Sequence, residues 1–183
     1  MSFTSEKTEI SDSLSRQADL PTLERGLLQT MKLSELFQED NIIPDLKAKD
    51  KKGVLEELVD ALVNLEPHLD KNALVHVLLE RERLGSTGIG DGVAIPHGKS
   101  PGVDRPRIAF GRSRRGLDFE SMDGEPAHLF FLLVAPENSA SIHLQALARI
   151  AKILKNSNFR KELMEMPGRE DIYRKIIQND EEF

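Results

Sequence analysis

LFFLLV, Leu129 to Val134, sets the architecture. Six consecutive apolar residues make both faces of a strand apolar. Such a strand belongs in the middle of a sheet with a layer packed on each side. Pro136 closes the run, because proline has no N–H to give a ladder. Upstream, Arg107 to Ser113 predicts a second strand, with Ile108 and Phe110 on one face. Gly116 and Asp118 turn the chain after it, and Ser121 to Glu125 turns it again. Ile42 and Ile43 predict a strand within Asn41 to Asp45, which Pro44 confines to an edge or an end. Helical periodicity surrounds these strands. It predicts a short helix over Lys32 to Gln38, one from Asp50 to about Leu65, and one from Asp70 to near Arg83. Asn138 or Ser139 opens a long helix from Ala140 to about Lys155. Two further helices, Phe159 to Met166 and Arg169 to Gln178, are separated by Gly168. Helices mixed with short strands predict an α/β fold: a single domain with a mixed central sheet flanked by helices.

Composition narrows the classes. The chain has 183 residues, 39% hydrophobic and 31% charged, which fits one globular domain with a full core. A net charge of −6 argues against general attraction to nucleic acid. With no cysteine, disulfides and thiolate metal sites are excluded. No apolar run is long enough to span a bilayer, and the start lacks the apolar core of a signal peptide. A cytoplasmic protein is expected. Residues 1–30 are polar, with Pro21 interrupting scattered leucines, and read as a flexible extension with one short turn near Leu23 to Gln29. The folded domain is expected over residues 31–183.

The chemistry points to LGSTGIGDGVAIPHGK, Leu84 to Lys99. Gly85, Ser86, Gly88, Gly90 and Gly92 crowd its front, a density that predicts a sharply bent loop rather than a regular element. Val93 to Ile95 reads as a short buried strand, ended by Pro96. His97 follows at its lip, with Gly98 leaving the ring uncrowded. Histidine titrates near ~6.5, so much of it is an uncharged nucleophile at neutral pH. Backbone N–H groups of a glycine-rich loop suit an anion. Together they suggest phosphoryl transfer onto histidine; the plainer reading makes His97 a turn residue at a strand end. Nucleotide loops fail on spacing. Lys99-Ser100 could close a P-loop, but its frame needs glycine where Val93 stands. A dinucleotide fingerprint from Gly88 or Gly90 needs its third glycine at Val93 or Ile95. His68, His76 and His128 read as bystanders: one in a turn, one on the polar side of a helix, one just before a strand.

Arg81 to Lys99, RERLGSTGIGDGVAIPHGK, closely resembles the phosphorylation-site segment of enzyme IIA domains of the mannitol/fructose class. These domains belong to the phosphoenolpyruvate-dependent phosphotransferase system. GSTGIG is most similar to the nitrogen-regulatory branch. The likeness runs from Met31 to about Ile177, including MKLSELF and the SIHLQALARIAKIL helix.

The resemblance implies a single enzyme IIA domain in which His97 takes phosphate from an HPr-type phosphohistidine, reacting at Nε2. It implies two assistants. Arg81 stands in the last turn of its helix, where a cation would otherwise only offset the dipole. His143 stands in the first turn of its helix, where an anion is favoured. Gly85, Ser86, Thr87, Gly88 and Gly90 would form the phosphate-binding loop, and Ile89, Val93 and Ile95 an apolar rim, with the core as the alternative place for Ile95. No cofactor and no metal are expected. Downstream, the resemblance implies either an enzyme IIB acceptor of sugar transport or regulatory targets, with His97 phosphorylation as the switch. A chain without a fused transporter part leans toward regulation. A metal hydrolase built on His97, His143 and Glu82 is the remaining alternative, without HExxH-type spacing to support it.

Overall fold

The computed structural model describes residues 31–182; the extension read over residues 1–30 lies outside them. Its strands are β1 (Ile42–Ile43), β2 (Gly88–Gly90), β3 (Val93–Ala94), β4 (His97–Lys99), β5 (Arg107–Leu117) and β6 (Ala127–Ala135). They form one mixed sheet in the order β1-β5-β6-β3-β2, with β4 also on β6. β5 and β6 pair antiparallel, while β1 lies parallel to β5 at the edge, as Pro44 requires. β3 and β4 both run parallel to β6.

β6 is the central strand that LFFLLV predicts. Leu129, Phe131 and Leu133 point into one core, and Phe130, Leu132 and Val134 into the other. The second core is closed by α1 (Lys51–Val63) and α2 (Lys71–Arg83). The first is closed by α3 (Ala140–Leu154), α4 (Ser157–Glu165) and α5 (Arg169–Glu181). Caps start the helices where the sequence places them. Asp50 accepts from Gly53 N at 2.7 Å, and Asp70 accepts from Ala73 N at 3.1 Å. Ser139 precedes α3 but turns its hydroxyl to the Pro136 carbonyl, 2.7 Å away, and does not cap.

Four expectations are corrected. The helix read at Lys32 to Gln38 is a short 3-10 turn, Leu33–Glu35. Leu33 N donates to the buried Asp180 carboxylate and Leu36 O accepts from Ile108 N, so the chain is drawn onto neighbouring elements instead of coiling further. The glycine run is not all loop, because Gly88–Gly90 pairs with β3 as an edge strand. Gly88 is needed there: a Cβ would lie 2.5 Å from Ser121 Oγ. The turn read at Gly116 lies inside β5, as a register shift with φ +74. Pro96 does not end its strand for good. Val93 pairs with Leu129 and His97 with Leu133, so the register continues across the proline. Pro96 has no N–H, but its carbonyl still accepts from Leu133 N at 2.9 Å.

Arg112 is a fully buried cation that no local pattern announces. Its guanidinium donates to Pro44 O (2.9 Å), Leu163 O (2.8 Å) and Met166 O (2.6 Å). It thereby satisfies carbonyls at the end of α4 and ties them to β1 and β5. Arg112→Met would strand those buried acceptors, so urea unfolding should show a loss of about 3 kcal/mol. A loss below about 0.5 kcal/mol would mean the arginine is dispensable.

Candidate functional site

The site gathers three segments: the end of α2, the β3–β4 line and the first turn of α3. α2 delivers Arg81, half-buried, whose Nη1 donates to Gly85 O at 3.0 Å. The next residue, Glu82, faces inward and is buried. Its carboxylate accepts from Thr87 N at 3.2 Å and from the Thr87 hydroxyl. Lys51 Nζ neutralises it from 3.1 Å. Ser86 Oγ donates to Phe119 O at 2.7 Å and accepts from Gly88 N at 3.0 Å. Gly85 N donates to Glu82 O at 3.1 Å. The N–H groups of Gly85, Thr87 and Gly88 are therefore engaged with protein acceptors, so the stretch read as a phosphate-binding loop offers an anion fewer donors than expected.

His97 opens β4. Its Nδ1 lies 2.8 Å from the Ile95 carbonyl. A carbonyl only accepts, so Nδ1 carries the proton and Nε2 keeps its lone pair. Gly98 has a different role from the one expected. A Cβ there would lie 2.8 Å from Val77 Cγ1, so glycine lets α2 pack against β4.

His143 projects from α3 with its ring centroid 5.5 Å from that of His97, the planes tilted by 52°. It is buried, and its Nε2 has no hydrogen-bond partner. Burial pulls the pKa of both rings down to about 4. The Arg81 charge pushes both the same way, and His97 and Lys99 add to the effect on His143. Burial also lowers Arg81. The structure thus brings Arg81, His97 and His143 into one electrostatic neighbourhood, with both imidazoles neutral at pH 7.

The rim differs from the expectation. Val93 and Ile95 are core residues, 1% and 3% exposed, and Ile89 packs partly buried against the first core. Exposed apolar residues that neighbour the site residues in sequence are Leu84, just beyond Arg81, and Ile142 and Leu144, on either side of His143. A sequence reader could have found the last two by noting apolar residues off the buried stripe of α3. Glu82, named above only within the metal-hydrolase alternative, is the polar anchor of the loop. Its commitment to Thr87 and Lys51 keeps it from the hydrolase role considered above. His68 and His76 are exposed. His128 lies within β6 rather than before it, with Nδ1 2.9 Å from Ser113 O.

Fold and site define a small α/β domain built to present one neutral imidazole beside an arginine and a second histidine. Comparison with known proteins places it. The family described as phosphoenolpyruvate-dependent sugar phosphotransferase system, EIIA 2, matches residues 35–179. A nitrogen regulatory protein of Bradyrhizobium diazoefficiens is 43% identical over 143 residues, covering 78% of this chain and 93% of that protein. The fructose-specific EIIABC component of Bacillus subtilis is 41% identical over 150 residues, 82% of this chain, which spans only 24% of that longer protein. The crystal structure of the nitrogen regulatory protein IIA-Ntr from Neisseria meningitidis superposes with a TM-score of 0.74 at 34% identity, covering 79% of this chain and 98% of that one. The chain belongs to the EIIA 2 family of the phosphoenolpyruvate-dependent sugar phosphotransferase system.

The lowered pKa values have a signed consequence. Each ring binds a proton near ~6.5 when unfolded and near about 4 when folded. Between those values the unfolded chain holds more protons, so stability falls as pH drops through the window. NMR titration should find both rings neutral at pH 6, and urea midpoints should decline from pH 6.5 toward pH 4, less steeply in His143→Ala. Ring midpoints near ~6.5 would contradict the dry site.

Proposed function

We propose that His97 is the phosphoryl-accepting residue of this domain and that its Nε2 is the attacking atom. The observation that carries this reading is the Nδ1 to Ile95 O hydrogen bond, which leaves Nε2 as the nucleophilic nitrogen of a neutral ring. The donor is a phosphohistidine of an HPr-type protein. A bond forms from Nε2 to phosphorus, the donor N–P bond breaks, and the donor leaves as a neutral imidazole. The proton stays on Nδ1, and the Ile95 carbonyl that accepts it stabilises the positive charge the ring acquires. Donor and product bonds are of one kind, so the transfer calls for no cofactor or metal.

Charge in the transition state spreads over the phosphoryl oxygens. Arg81 is the cation suited to them, since a guanidinium forks onto phosphate oxygens. His143 offers a ring nitrogen whose partner, in this reading, is the phosphoryl group. The loop from Gly85 to Gly90 serves mainly to hold Arg81 and His97 in place. Leu84, Ile142 and Leu144 form the apolar contact through which a docked partner excludes water.

Regulation is the favoured use of the phosphate, supported by the relatives named nitrogen regulatory protein. Phosphorylation places about two negative charges beside those apolar residues and alters which partners can dock. The likeness to the fructose-specific component supports the second reading, onward transfer to an enzyme IIB. Either use places the domain in the cytoplasm, and no helix among the described residues is long and apolar enough to cross a membrane.

Incubation with phosphoenolpyruvate, enzyme I and HPr, followed by intact mass, tests the proposal. The wild type should gain one acid-labile phosphoryl group and His97→Ala none. Arg81→Met should slow the gain by about 100-fold. Full phosphorylation of His97→Ala would overturn the assignment.

A further inference from the structure

We propose that Glu82 is a positioning residue for the reacting nitrogen of His97, acting through a continuous line of hydrogen bonds. The inference rests on the reading of His97 Nε2 as the phosphoryl acceptor.

The line can be followed atom by atom. His97 Nδ1–H donates to Ile95 O at 2.8 Å. Ile95 N donates to Thr87 O at 3.0 Å. Thr87 N donates to both Glu82 oxygens at 3.2 Å, and the Thr87 hydroxyl donates to Glu82 Oε1. Lys51 Nζ closes the line at Glu82 Oε2, 3.1 Å away, and reaches on to Glu120 at 3.3 Å. Four segments are joined: the start of α1, the end of α2, the glycine stretch and the β3–β4 line.

The line matters because of Pro96. Ile95 and Pro96 lie in the gap between β3 and β4. On the β6 side the Pro96 carbonyl holds this gap, accepting from Leu133 N. From the other side Thr87 O holds the Ile95 N–H, one peptide unit before the Ile95 carbonyl. The Ile95 carbonyl sets the tautomer of His97, so its direction depends on where Thr87 sits, and Thr87 is fixed by Glu82. A carboxylate suits this place better than a neutral acceptor, because it takes the backbone N–H, the hydroxyl and the lysine together. Both Glu82 and Thr87 are buried, which keeps water from competing. Glu82 also follows Arg81 directly, so one anchor fixes the nucleophile and the turn that carries the guanidinium.

A purely structural Glu82 would change stability and leave His97 alone. The test therefore reads the ring itself. Side-chain 15N shifts of His97 at pH 7 report the tautomer on the unphosphorylated protein, and HPr-dependent phosphorylation gives the rate. Wild type should show the Nδ1–H tautomer. Glu82→Ala, measured well below its melting temperature, should show mixed tautomers and a rate reduced about 10-fold or more. Glu82→Gln keeps an acceptor oxygen and should recover most of both. Thr87→Val, which removes only the hydroxyl, should shift both readouts in the same direction by a smaller amount. Glu82→Ala with a wild-type tautomer and rate overturns the proposal. If Glu82→Ala does not fold, wild-type behaviour of Thr87→Val overturns it instead. A wild-type protein that accepts no phosphoryl group would sink the functional reading, while the tautomer comparison would still decide whether Glu82 controls the ring.

Discussion

The hydrogen bond between His97 Nδ1 and the Ile95 carbonyl is the constraint on which the site depends. An imidazole has two nitrogens and, when neutral, one proton. Committing that proton to a carbonyl decides which nitrogen can react. The carbonyl must therefore point correctly, and its direction is inherited from larger structure. Ile95 belongs to the interrupted line of β3 and β4, whose register on β6 runs unbroken past Pro96. β6 in turn is fixed by two cores, one on each face. A six-residue apolar run thus specifies, through packing and register, the tautomer of a partly buried histidine.

The electrostatics of the site are one-sided. Two dry imidazoles lie near Arg81 and Lys99, and each charge nearby pushes the rings toward neutrality. Glu82, adjacent in sequence, spends its charge on Thr87 and Lys51. A site with positive neighbours and no uncommitted carboxylate among these residues is poor at holding protons and well suited to a dianionic phosphoryl group. The same features cost stability in acid, because burial keeps both rings unprotonated well below neutral pH.

Much of this was legible in the chain. LFFLLV announced a central strand, Asp50 and Asp70 announced helix starts, and the wording around His97 led to the family. Other parts were hidden for physical reasons. Glycine density argued against a strand, yet Gly88–Gly90 pairs at an edge, where close approach to Ser121 matters more than backbone entropy. Val93 is core rather than rim, and Ile95 takes its alternative place in the core, because a two-sided sheet buries alternate residues in either direction. Arg112 lies on a strand that the sequence predicts, but nothing local marks it as buried. Its burial depends on carbonyls more than 50 residues away, which no local pattern reveals. The role of Glu82 was missed for the same reason. A glutamate beside an arginine at a helix end reads as solvated charge until the fold brings Thr87 and Lys51 to it.

The central claim concerns a single atom, and NMR of the phosphorylated protein tests it most directly. Long-range 1H–15N and 31P spectra locate the phosphoryl group on one ring nitrogen of one histidine. The account predicts His97 Nε2, with Nδ1 still protonated. A phosphoryl group on Nδ1 of His97, or on His143, would contradict it.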